Sequence, residues 1–138
     1  MKILVSACLM GYNCRYKGDN CLCDKVMALQ EDNELIPVCP EQEGGLPTPR
    51  DPSEIVKDKV ISKSGKDVTA EYTKGAEFAL KLAQDNKIDL AIMKAQSPSC
   101  GCGVIYDGTF TGNKIPGNGI TSQLLIDNGF KVITEKDL

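Results

Sequence analysis

The chain has 138 residues, 25% charged and 41% hydrophobic, with a net charge of −3 and a pI near 5.0. That length suits one domain, residues 1–138, with a proper core, and the mild acidity argues against nucleic-acid or anionic-membrane partners. It contains seven cysteines and no histidine, which excludes a Ser-His-Asp triad, a Cys-His pair and a mixed Cys/His zinc site.

In chain order, the apolar run 2–8 reads as a buried strand, and residues 9–22 as a polar loop containing glycine. A short helix is predicted over 23–30, with Val26, Met27 and Leu29 turned inward, followed by a strand over 35–39. The segment PEQEGGLPTPRDPSE is too rich in glycine and proline for helix or strand. Residues 56–68 read as a small β-excursion turning at Ser64-Gly65. Thr69 is placed as the cap of a helix running to about Asn86, with Tyr72, Ala76, Ala79, Leu80 and Ala83 on one face. A buried strand over 90–94, a hairpin over 104–115 around Gly112-Asn113, a helix from about Thr121 to Asn128 and a strand over 131–134 complete the chain. Strands alternating with helices predict an α/β fold: a three-layer α/β/α arrangement with a mostly parallel central sheet, Rossmann-like or flavodoxin-like.

The placement of the cysteines is the strongest functional signal. Cys8 closes the first strand, Cys39 the second, and Cys100 follows the third after a short turn. Open parallel sheets bind ligands outside the carboxyl ends of their strands, so three thiols distant in sequence are expected at one edge. A lone cysteine with apolar neighbours is usually a small core residue; three at strand ends fit a cluster site better. Cys14 lies in the first polar loop and could reach the same edge, while Cys21, Cys23 and Cys102 belong to tight C-x-C pairs. The odd count and the absence of a recognisable leader predict reduced thiols and a cytoplasmic protein. A structural zinc site asks for four ligands, whereas three thiolates on an iron–sulfur cluster leave one iron open.

The loop after Cys39 adds Glu41 as a candidate acid or base, with Glu43 close behind, and Arg50 as a clamp for a carboxylate or a polarised carbonyl or thiocarbonyl. In S-P-S-C-G-C-G, the backbone amides could form an anion-binding nest. YDGTFTGN (106–113) reads as turn chemistry, and lysines 57, 59, 63 and 66 as a solvated face.

The motifs V-S-A-C-L-M-G with Cys14-Arg15-Tyr16, P-V-C-P-E…G-G-L-P-T-P-R, S-P-S-C-G and I-Y-D-G-T-F-T-G together resemble the thiouracil desulfurase family over nearly the whole chain. The resemblance implies a small α/β enzyme with an oxygen-sensitive [4Fe-4S] cluster held by three cysteines. It further implies an iron open to the sulfur of a thiolated pyrimidine such as 2-thiouracil, and release of that sulfur as sulfide. Carried over, the ligands are Cys8, Cys39 and Cys100, with Cys14 in reserve. Glu41 and Ser97 handle protons and water, with Ser99 able to share the work of Ser97. The partner is then a small thiolated molecule, the reaction a C–S cleavage by net hydrolysis. The rival reading is a non-catalytic metal-binding or redox-sensing module, closed by a fourth protein ligand such as Cys14 or Cys102.

Overall fold

The computed structural model of the protein describes all of residues 1–138. Four strands form the main sheet: β1 (Lys2–Ser6), β2 (Glu34–Val38), β5 (Leu90–Met93) and β8 (Val132–Thr134), in the order β2-β1-β5-β8. All neighbouring pairs are parallel, with Leu4 opposite both Ile36 and Ala91, and Ile92 opposite Ile133. Two antiparallel hairpins stand outside this sheet, β3 (Ser53–Val56) with β4 (Lys59–Ser62), and β6 (Val104–Tyr106) with β7 (Lys114–Pro116). The helices are α1 (Asp24–Ala28), α2 (Pro40–Glu43), α3 (Thr69–Asn86) and α4 (Ile120–Asp127).

Side-chain alternation along the strands builds the three layers. Leu4, Ala91 and Met93 face one way, onto Ala79 and Ala83 of α3 and Leu125 of α4. Ile3, Val5 and Ile92 face the other way, onto Val26 of α1 and the turn through Leu9. A sheet buried on both faces explains why its strands read as unbroken apolar runs. Counted along the chain, the four sheet strands lie in the order 2-1-3-4, that of flavodoxin-like sheets, with the switch point between β1 and β5. No helix is long and apolar enough to cross a membrane.

Three local features depart from the sequence reading. The β-excursion begins earlier: β3 and β4 turn at Lys57-Asp58, where Lys57 takes a left-handed φ of 57°. The expected turn at Ser64-Gly65 is a second one, closed by Gly65 N donating to Ser62 O (2.8 Å), after which Asp67 bridges back to Ile61. Thr69 does not cap α3; it is the first helical residue, and its amide donates to Asp67 Oδ1 at 2.9 Å. The glycine- and proline-rich segment after Cys39 begins with α2, which Pro40 initiates at a position where its missing N–H costs nothing.

Helix α2 lies on α3 backbone to backbone. A Cβ on Gly75 would stand 1.8 Å from Pro40 O, and one on Gly44 2.0 Å from Glu71 O. This contact has a testable consequence. In a typical helix interior, Gly→Ala stabilises by about 0.5–1 kcal/mol. At Gly75 the added methyl meets backbone rather than a flexible side chain, and overpacking of that kind costs about 1–3 kcal/mol. Gly75→Ala is therefore expected to lower the urea midpoint of unfolding. A midpoint at or above that of the parent refutes the close-contact account.

Candidate functional site

The carboxyl ends of β1, β2 and β5 open onto a cavity of about 290 Å3, lined by Cys8, Cys14, Cys39 and Cys100 together with Glu41, Arg50, Tyr72 and Ser97. Its place at the switch point is where α/β sheets bind ligands, and its volume is at the lower end for small-molecule sites. All seven cysteines are free thiols.

Each thiol is held by a short local structure. β1 ends at Ser6, and a 3-10 turn over Ala7–Met10 carries Cys8 inward. Gly11 closes that turn with a φ of 93°, and Cys8 O accepts from Cys21 N at 2.9 Å, so the returning loop zips along it. Cys39 is the N-cap of α2. Cys100 sits in a turn organised by Ser97, whose Oγ accepts from Ser99 N (3.1 Å) and Cys100 N (3.0 Å) while its carbonyl accepts from Gly101 N (2.8 Å). The amides of Ser99, Cys100 and Gly101 thus fold back onto Ser97, and that of Gly103 donates to Asn118 Oδ1 at 2.8 Å, instead of forming the expected nest. Ser99 is fully buried, with its Oγ 2.8 Å from Thr121 Oγ1, and does not line the cavity; it cannot share a task with Ser97.

Arg50 ties the loops together. Its Nη2 donates to Cys14 O (3.0 Å) and to Glu41 Oε2 (3.1 Å), and its Nη1 to Thr48 Oγ1 (3.1 Å) and Pro47 O (3.3 Å). Glu41 Oε2 also accepts from the Tyr72 hydroxyl at 3.1 Å, while no hydrogen bond reaches Oε1. Arg50 Nε is buried and has no hydrogen-bond partner within the protein. Burial works against the Arg50 charge, but the neighbouring Glu41 carboxylate more than offsets it and raises the guanidinium above its usual value. Glu43 is exposed and outside the cavity.

Burial and neighbouring groups hold the thiols of Cys14, Cys39 and Cys100 in their protonated form. Burial, then the charge of Glu41, pushes Cys100 up to about 12. Interaction with the Cys14 thiol, then burial, drives Cys39 far above the ordinary thiol range. Cys14 is drawn down by Cys39 but pushed up further by Cys8 and by burial, to about 11. Cys14 therefore lies within range of both Cys8 and Cys39, and four thiols line the cavity. No three of them are placed to hold a single metal ion. Cys21 and Cys23 pack against the α1-side core, and the Cys102 thiol points to Val132 O at 3.7 Å; none of these three lines the cavity. Tyr72 is the site residue that sequence reasoning assigned only to a helix face. The available signal was a phenol among alanines on a buried stripe, since a buried Tyr hydroxyl needs a partner.

The donor set fits an iron–sulfur cluster in its chemistry: four soft sulfur donors line one cavity, and the chain has no histidine. Comparison with known proteins agrees. The family model for 2-thiouracil desulfurase matches residues 3–137. The chain is 42% identical to the uncharacterised protein YbbK of Bacillus subtilis (strain 168), an alignment covering 99% of this chain and 97% of YbbK. It is 45% identical to the [4Fe-4S]-dependent thiouracil desulfidase TudS, whose solved structure superposes with a TM-score of 0.94 over 99% of this chain and 92% of that one. With a family match over almost every residue and the same fold in a relative this similar, the chain belongs to the 2-thiouracil desulfurase family.

Proposed function

We propose that this chain is a [4Fe-4S]-dependent desulfurase acting on a small thiocarbonyl compound such as 2-thiouracil, with the cluster held by Cys8, Cys39 and Cys100. The observation that carries this reading is that these thiols, from the ends of three strands, line one cavity with Glu41 and Ser97. Family membership and the likeness to TudS support it.

When bound, the cluster supplies a sulfur-seeking iron that polarises a C=S bond toward attack at carbon. The chain's own residues supply the rest. Glu41 has Oε2 occupied by Arg50 and Tyr72, leaving Oε1 to take a proton from water. A serine hydroxyl has two acceptor sites and one donor. Ser97 Oγ already accepts from two amides, so it acts toward the cavity only as a donor, holding a ring or water oxygen. The net change exchanges C=S and water for C=O and hydrogen sulfide, without change in electron count.

Cys14 in the same cavity favours one alternative, a four-thiol site that closes the open iron and serves as a metal-binding or redox-sensing module. Anaerobic reconstitution separates the two. The desulfurase reading expects about four iron per chain, lost in Cys8→Ser and Cys100→Ser but retained, with sulfide release from 2-thiouracil, in Cys14→Ser. Cluster loss in Cys14→Ser, or stoichiometric zinc with no iron uptake, favours the module.

Glu41→Gln preserves size and hydrogen-bond acceptance but removes both the basicity and the charge that compensates buried Arg50. Iron content is expected to hold while kcat falls by roughly 10²–10⁴-fold, the usual range for a lost general base; unchanged turnover rules out Glu41 as the base. Ser97→Ala orphans the amides of Ser99 and Cys100. It is expected to cost about 0.5–2 kcal/mol in urea unfolding, as for a lost cap, with a smaller loss of rate than Glu41→Gln.

A further inference from the structure

The cavity has a second wall that the proposed chemistry does not yet use. Tyr72 is 2% exposed, and its ring packs with Val60 and Val68 in a small core of its own, bordered by Leu46, Ile55 and Ile120. Its hydroxyl leaves this apolar cluster to donate to Glu41 Oε2 at 3.1 Å. A phenylalanine would fill the same space without a polar group to satisfy, and burying an unpaired hydroxyl carries a penalty. The hydroxyl is therefore matched to the carboxylate. Burial first, and the Glu41 charge second, hold the phenol well above its usual value, so it stays a donor.

The α3 face that carries Tyr72 also fixes the distance. Tyr72 and Gly75 are three residues apart and lie on the same side of the helix. Gly75 admits the Pro40 carbonyl against its bare Cα, and Glu71 O takes the close approach of Gly44. Glu41, one residue past Pro40, is thereby seated with its carboxylate at the Tyr72 hydroxyl. Arg50 approaches the same oxygen from its own loop at 3.1 Å. Both donors on Oε2, and none on Oε1, give the carboxylate one fixed side and one free side.

We propose that Tyr72 is a positioning residue for Glu41, holding the carboxylate by its inner oxygen so that the outer one faces the reacting water. This rests on the reading of Glu41 as the general base. Tyr72 acts through Glu41, to whose carboxylate its hydroxyl donates.

The test is a double-mutant cycle on the cluster-loaded protein, reading kcat, KM and iron content, with Tyr72→Phe made alone and in a Glu41→Gln background. Tyr72→Phe keeps the ring and so the core around it. Alone, it is expected to lower kcat roughly 10- to 100-fold, the scale of one hydrogen bond to a charged group, with KM and iron unchanged. In the Glu41→Gln background, it is expected to cause no further loss, because there is no base left to position. A merely structural tyrosine lowers kcat by the same factor in both backgrounds, which overturns the proposal. A crystal structure of loaded Tyr72→Phe supplies a readout independent of rate: the Glu41 carboxylate is expected to shift or spread over conformers, and one that stays in place also overturns it. Slow Glu41→Gln with parental kcat in Tyr72→Phe sinks only the role of Tyr72. Parental activity in Glu41→Gln sinks the base reading, and this proposal with it.

Discussion

Arg50 and Glu41 form an ion pair with only 7% and 15% of their side chains exposed, and the site is assembled around it. The guanidinium reaches the Cys14 carbonyl in the loop after β1, the Glu41 carboxylate in the helix after β2, and Thr48 and Pro47 in its own loop. Three segments that share no secondary structure are thus fixed relative to one another by one planar, permanently charged group. Little of this is net stability, because desolvating two charges consumes most of what their attraction returns. The asymmetry matters more: removing one partner leaves a buried charge uncompensated, at a cost of about 3–5 kcal/mol. The pair therefore specifies an arrangement more than it strengthens a fold.

The sheet supplies the other half of the geometry. Parallel strands begin and end together, so the residues following β1, β2 and β5 leave the sheet at one edge. The switch point between β1 and β5 parts the loops there and opens the cavity. Cys8 and Cys100 stand on either side of that opening, one in the core beneath α1 and the other in the core beneath α3 and α4. The local turns differ in every case, a 3-10 turn, a helix cap and a serine-organised loop. The thiols share a location because the strand order demands it.

What could be read in the sequence follows from which forces act locally. Apolar runs ending in cysteine located Cys8 and Cys39, and the turn after a third such run located Cys100, since strand burial on both faces leaves an unbroken hydrophobic signature. The long helix was legible from the spacing of Tyr72, Ala76, Ala79 and Ala83, all of them buried. Features decided by distant partners were not. Nothing near Ser99 in the chain announces Thr121, 22 residues on, which takes its hydroxyl inward. Nothing in TKGAE says that Gly75 is bare because the Pro40 carbonyl lies against it. The turn at Lys57-Asp58 escaped because a lysine with φ 57° stands where glycine or asparagine is the usual signal. Tyr72 was visible as a core residue, but its hydroxyl's partner belongs to a helix 31 residues earlier.

The thiols of Cys8, Cys39 and Cys100 come from chain segments far apart in sequence, and Cys8 and Cys100 belong to opposite faces of the sheet. Any group bonded to all three is mechanically a cross-link, closing two large loops at once. Such closure removes conformations from the unfolded chain, and the effect grows slowly with loop length. A ligand recognised only by the folded arrangement also draws the folding equilibrium toward itself by mass action. The two hydrophobic half-cores, which otherwise communicate through a sheet only four strands wide, would then melt as one unit.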